Sequence, residues 1–504
     1  MTTDSSQPDQ TSLIAGSGPL TRLVRQGGMY TLSNLGVKLA GFILLAFYLD
    51  PATLSQADYG RFQLLEIMAQ ILILVGGMGL AAGLLKFLHD DSLAEDEDAL
   101  PATTLVGVSI CAVGIFVIVW LVSHPLATFL VDDPEAVLPV RLAGGYVALK
   151  LIGAVPFMVL RAKERAGTYA LIAITEAFVL VGAVAYMLVV RRAGLDGVMI
   201  GYVISAAVSA VCLSGFLLAH LTGGVKWTLL RPLFRFGMPL ALAGLAAVVL
   251  NAGDRYVLKL LTDAEVVAVY GLAAKYGGLV NMLFVQSFNL AFSVIGLKAL
   301  RADGEGATVH RRTFRHYVVL TGWGVLGVSL LARDVTDLLS PNPAFLDAEP
   351  LVLPLALGFM AYGIYYIGMN VLYAEGQSRA IAGGVTIAAI VNIVLNLVAI
   401  PLLGVAGAAL TSLLCYAGLA AITMRRAVRT TPVDYHWLAL GVVLLFVLGL
   451  WMLAQASIHW APIMRILFRL GLISAYPALV LVAGIYRRDE LRRLGDVRKR
   501  IRSR

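Results

Sequence analysis

Charge is what this chain has least of. Asp, Glu, Lys and Arg make up 14% of its 504 residues, against about 25% in soluble domains, which excludes an ordinary water-soluble fold. Cysteine is nearly missing as well. Cys111, Cys212 and Cys415 fall inside apolar runs with no CxxC spacing, so neither a disulfide scaffold nor a thiolate metal centre is encoded, and the three read as small packing residues. There is no GxxxxGK[ST] loop, hence no nucleotide-driven motor, and no HExxH; the seven His lie in loops or at span ends without ligand spacing. No cofactor, no metal and no catalytic residue are expected. GWGVLG, Gly322 to Gly327, satisfies GxGxxG but sits in an apolar run with no strand before it, which excludes a dinucleotide site. The opening MTTDSSQPDQ is polar and acidic, so no cleavable signal peptide is expected ahead of the first span.

What is there instead is apolar: 59% of the residues are hydrophobic. They fall into continuous blocks of about 20 residues, each long enough to cross the hydrocarbon core as a helix, and there are about fourteen of them. Barrel strands would alternate over shorter segments, so the expected class is an all-α integral membrane protein. The predicted spans run from 27–48 and 61–85 through 234–252 and 266–297 to 464–486. Assigned to alternating sides, about 27 Lys and Arg fall on the side of the N-terminus and about 9 on the other, which predicts cytoplasmic termini in the inner membrane. HRRTFRH (His310 to His316) and RRAVR (Arg425 to Arg429) carry that bias inside; Ala332 to Pro350, with four acids and one Arg, reads as external. Arg191 and Arg192 run against it. The net charge of +8 is thus a topology signal and not a sign of a nucleic-acid partner.

An internal repeat appears at an offset of 211 residues. ADYGRFQLL at Ala57 aligns with AVYGLAAKY at Ala268, so that Tyr59-Gly60 matches Tyr270-Gly271. Within a residue, the same offset pairs VRQGGMY with FRFGMPL, LRAKERAG with LYAEGQSR, and GLDGVMIGYVIS with GVAGAALTSLLC. Six spans per repeat is even, so the halves share an orientation and form a parallel repeat. The expected organisation is a cytoplasmic tail over 1–26, a six-helix bundle over 27–219, a cytoplasmic linker over 220–233, a second six-helix bundle over 234–424, two further helices over 425–486, and a basic tail over 487–504.

Within NAGDRYVLKLLTDAEVVAVYGLAAKY, residues 251–276, span 7 closes on Asp254-Arg255, and a short acidic loop leads to Tyr270-Gly271 and Tyr276. With the entry segments Arg25-Gln26-Gly27 and Arg235-Phe236-Gly237, this stretch resembles the polysaccharide and O-antigen flippase branch of the multidrug/oligosaccharidyl-lipid/polysaccharide (MOP) exporter superfamily. The resemblance covers nearly the whole chain. It implies a fold of two six-helix bundles plus two helices, with spans 1, 2, 7 and 8 lining a cleft. It also implies flipping of a lipid-diphosphate-linked oligosaccharide from the inner to the outer leaflet. The partners implied are the lipid-linked glycan, membrane lipids, and a glycosyltransferase or polymerase of the same pathway.

Charges inside spans are costly and usually face a cavity or each other. Helical spacing groups Tyr30, Asn34 and Lys38 in span 1 and Gln63, Glu66 and Gln70 in span 2. Lys275, Gln286 and Asn289 group in span 8, and Tyr362, Tyr366, Asn370 and Tyr373 in span 10. In one reading Lys38, Lys275 and Arg255, with Lys150 and Arg25, make a cavity positive for a diphosphate, and the Tyr and Asn stripes hold the glycan. In the other, Lys38 pairs with Glu66, Lys150 with Glu176, and Asp254 with Arg255 or Lys259, while Asn residues bridge helices. Asp254, Arg255 and Glu66 are gating or ion-coupling candidates, the first two as a pair near the end of span 7. With no motor encoded, a secondary, alternating-access mechanism is expected, bent at Pro156, Pro239 and Pro354. Two other functions compete: a cation-coupled multidrug exporter, which would want acids where Lys38 stands, and a membrane-embedded glycosyltransferase or ligase, which would want a larger external loop.

Overall fold

The computed structural model describes Gly36 and residues 39–486, apart from 89, 91–92, 94–95, 220, 222 and 302–305. Every regular element among the described residues is helical. Among the described residues, thirteen helices are long and apolar enough to cross a membrane: α2 (Gln56–Gly77), α4 (Ala99–Leu121), α6 (Leu138–Ala162), α7 (Ala166–Val190), α8 (Gly194–Phe216), α9 (Trp227–Ala252), α11 (Ala264–Leu300), α12 (Gly306–Leu339), α13 (Pro343–Ala374), α14 (Ser378–Leu403), α15 (Val405–Thr430), α16 (Trp437–Gln455) and α17 (Pro462–Val482). The first predicted span is described only from its end, α1 (Leu39–Tyr48). Shorter pieces fill the gaps: α3 (Leu80–Phe87), α5 (Ser123–Val131) and α10 (Asp254–Leu261). Large apolar side chains such as Phe178, Val211, Leu338 and Ile463 remain exposed, as they should where the neighbour is lipid.

Local chemistry sets the ends. Asp263 Oδ1 accepts from the Val266 N–H to cap α11, and Asn342 Oδ1 accepts from the Ala344 N–H where a 3₁₀ turn opens α13. Prolines stand in the first turns of α6 and α17, where a missing N–H costs nothing.

Contacts divide the chain into two compact units. The first holds residues up to Leu45, Leu72–His124 and Val137–Ala241; the second holds Ala46–Ile71, Pro125–Ala136 and Leu242 onward. In the first unit α6 packs on both α4 and α8, and α7 on α8. The predicted second span is broken here. Met78 and Gly79 take left-handed backbone angles, φ 44° and 68°, separating α2 from α3. A Cβ on Gly79 would lie 2.1 Å from the Gly237 carbonyl oxygen, so only glycine permits this backbone-to-backbone approach.

In the second unit the interior lies around α13, which packs on α11, α12 and, most extensively, α15; α12 also carries α16 and α17. Residues 56–71 of α2 meet α11 through a reciprocal pair of glycines. A Cβ on Gly60 would fall 1.9 Å from the Ala264 carbonyl oxygen, and one on Gly271 1.6 Å from Gln63 Oε1. These are the glycines that the 211-residue offset superposes. The last helix is fixed by charge: Arg465 Nε donates to Asp334 at 2.6 Å and its other arm pairs with Asp337, while Arg469 bridges Asp334 at 3.0 Å and Glu349 at 3.3 Å. Arg469 is fully buried.

Candidate functional site

The end of α1 and the first turns of α2 contribute Tyr48, Tyr59 and Phe62 to the second unit, packed against one another with ring centroids 5.7 Å and 5.1 Å apart. Lys275, half-buried on α11, points its ammonium at all three, 5.6 Å from Tyr48, 5.6 Å from Tyr59 and 5.8 Å from Phe62. A cation over several ring faces is held by their quadrupoles without being neutralised. Among the described residues no carboxylate stands within ion-pair distance of Lys275; Glu66 and Arg255 act on it from further away.

Asp254 and Arg255 open α10, at the corner between α9 and α11. Asp254 is buried, and its Oδ2 accepts from the Tyr270 hydroxyl and, at 3.0 Å, from Ser412 on α15. Its Oδ1 has no hydrogen-bond partner among the described residues. The Arg255 guanidinium lies 5.8 Å from the Tyr270 ring. Lys259 is not the partner of Asp254, because it pairs with Asp132. The corner thus links α10, α11 and α15 through one carboxylate, leaving the Arg255 and Lys275 cations in electrostatic reach of each other.

Next to it lies a tyrosine cluster. Tyr416 donates to Asn251 Oδ1 at 2.6 Å and packs its ring, tilted, against Tyr362 with centroids 5.0 Å apart; Tyr366 donates to the Tyr362 hydroxyl at 3.3 Å. Asn370, on the same face of α13, donates to the Phe292 and Ser293 carbonyls at 3.4 Å and 3.3 Å, tying α13 to α11. Asn392 and Asn396 are fully buried on α14, hydrogen-bonded to each other.

Of the residues predicted for the site, the second unit brings together Lys275, Arg255, Asp254 and Glu66, with Tyr362, Tyr366 and Asn370 on α13. Gln286 and Asn289 do not continue the Lys275 stripe: a π-helical turn over Asn281–Val285 intervenes and rotates the remainder of the helix, leaving Gln286 exposed. Lys150 belongs to the first unit and pairs with Glu176 at 2.7 Å, the second of the two arrangements the sequence allows. The pair lines a pocket of about 390 Å³ with Tyr146, Tyr169 and Tyr202. Arg25, Tyr30, Asn34 and Lys38 lie outside the described residues. Sequence reading missed the three rings around Lys275 and the Ser412 hydroxyl on Asp254. The signal for the rings was present, since Tyr59 and Phe62 lie three apart on the face of α2 that carries Glu66.

A sequence profile described as "polysaccharide biosynthesis protein" matches residues 23–292. A search of curated proteins finds no match. Among solved structures, the lipid II flippase MurJ in an inward closed conformation superposes with a TM-score of 0.71 at 11% identity, covering 91% of this chain and 99% of that one. An inward-facing multidrug resistance MATE family transporter of the MOP superfamily gives 0.60 at 17% identity over 79% and 93% of the two chains. A MOP superfamily transporter from Pyrococcus furiosus, described by the reverse polarity of its binding pocket, gives 0.50 at 13% identity over 81% and 93%. At such identities the likeness is one of fold, the MOP transporter fold, while the profile spans more than half of the chain. The protein is a member of the polysaccharide biosynthesis protein family.

Proposed function

We propose that this protein is a secondary transporter that flips a lipid-diphosphate-linked oligosaccharide from the inner to the outer leaflet of the cytoplasmic membrane. The observation that carries the reading is Lys275: a cation held over Tyr48, Tyr59 and Phe62 with no carboxylate in ion-pair contact among the described residues, beside Arg255. A diphosphate leaving the headgroup region needs such charges, and aromatic faces and tyrosine hydroxyls suit the sugars attached to it. Two six-helix bundles over 27–219 and 234–424, rocking between inward and outward access with both termini cytoplasmic, supply the path. The lipid tail stays in the bilayer. Each negative charge carried out of an inside-negative cell releases about 2.3 kcal/mol per 100 mV, so the membrane potential is a sufficient drive.

The test is a strain lacking the protein, with labelled lipid-linked glycan extracted and its leaflet read by an external glycosidase. The glycan is expected to accumulate on the inner leaflet, relieved by the wild-type chain and not by Lys275→Ala; flipping that continues unchanged after a selective ionophore collapses the potential removes the proposed drive. One observation favours a second reading, a cation-coupled multidrug exporter: the buried Asp254 carboxylate, half of it unpartnered among the described residues. Normal leaflet distribution with altered drug sensitivity would select it.

A further inference from the structure

A pocket of about 470 Å³ lies where the end of α12, the start of α13 and the end of α16 meet, lined by Arg333, Leu346, Asp347, Glu349, Trp451 and Gln455. It takes no part in the site above, and its volume is in the range of small-molecule sites. One wall is fixed in advance: Glu349 is buried and held by Arg333 at 3.0 Å and Arg469 at 3.3 Å, so it keeps its place with no ligand present. Other groups are open. Asp347 and Gln455 have side chains that make no hydrogen bond or ion pair among the described residues. Arg333 Nε and Trp451 Nε1 are buried donors with no acceptor among those residues, a state that folded proteins rarely leave unfilled.

The charges decide the ligand class. Among the lining side chains Arg333 is outnumbered by Asp347 and Glu349, so no net positive charge draws a phosphate or carboxylate. What remains is a close mixture of donors and acceptors, with the amide of Gln455 offering both, beside the indole of Trp451. That combination fits a molecule whose hydroxyls both give and accept hydrogen bonds and whose ring presents a C–H face. We infer that this pocket binds a neutral saccharide unit. It opens at the helix ends opposite the basic segments His310 to His316 and Arg425 to Arg429, on the face that the charge bias assigns to the outside. As a station for the glycan leaving the transporter, it rests on the flippase reading; as a saccharide site it does not.

The full-length protein in lipid nanodiscs is titrated with free glucose, galactose, N-acetylglucosamine and maltose, and binding is read by saturation-transfer NMR. At least one sugar is expected to bind saturably to wild type and about tenfold more weakly to the Asp347→Ala/Gln455→Ala double variant, both of whose side chains lack partners among the described residues, with an unchanged thermal midpoint showing that the variant folds. Trp451→Phe, which keeps a smaller aromatic ring and deletes the donor, should fall between them. No saturable signal from any of the four sugars, equal binding by the double variant, or displacement of the sugar by inorganic phosphate overturns the proposal. The leaflet assay stands apart: sugar binding without flipping leaves the pocket and removes the transporter, and flipping without sugar binding does the reverse.

Discussion

Among the described residues Arg469 is the largest fully buried side chain, and it touches two acids from two different helices, Asp334 and Glu349. A buried ion network adds little over a well-packed apolar one, but removing one member strands the others. Arg469→Met is therefore expected to cost about 3–5 kcal/mol, seen as a large fall in the thermal midpoint of the purified protein, and Arg469→Lys should recover only part because one ammonium cannot serve two carboxylates in fork geometry. Sequence reading passed over this network, although an Arg pair at i, i+4 inside an apolar run is a visible oddity. Its partners come from more than a hundred residues away, and no local pattern announces them. Lys275 was legible as a charge in a span; of its rings, Tyr59 and Phe62 were legible as a pair on the Glu66 face of α2, but no local pattern places that face against α11.

At the scale of elements, hydropathy located the spans because every turn of a membrane helix must satisfy its own backbone and face lipid or packed protein. It did not see the break at Met78 and Gly79, the π turn in α11 or the short amphipathic α10, all set by tertiary contact or backbone geometry instead of apolar content. The repeat offset pointed to Gly60 and Gly271, and at both positions α2 and α11 meet with no room for a Cβ. Gly60→Ala forces a methyl into the Ala264 backbone, which cannot swing aside as a side chain does, and should destabilise by about 1–3 kcal/mol. Gly278→Ala on α11, with nothing within 4 Å of its Cβ, should be neutral or stabilise by about 0.5–1 kcal/mol. Thermal midpoints of the two variants, measured side by side, check the contrast; equal effects would mean that the crossing is not tight.

For the whole molecule, the class and the family were open to sequence reading, since composition and length alone force an apolar helical bundle and the Asp254 to Tyr276 stretch resembles its kin; of about fourteen expected spans, thirteen lie among the described residues. The proposed orientation rests on a charge excess spread over many loops, with Arg191 and Arg192 against it. Alkaline phosphatase fused after Ser457, between α16 and α17, should be active, and fused after Thr431, between α15 and α16, inactive. The reverse pattern would invert the direction of transport proposed here.

The charge network around α17 also bears on how the chain is made. Alone, a helix bearing Arg465 in its first turn and Arg469 one turn further in meets a penalty when it enters the bilayer, at most about 2.5–3.5 kcal/mol for an arginine at the helix centre. Asp334, Asp337 and Glu349 lie in helices synthesised earlier, so the acids are already in the membrane when α17 leaves the ribosome. Biosynthetic order thereby supplies a ready receptor for a span that carries two arginines, and a nascent chain that loses those carboxylates is expected to stall with α17 at the surface.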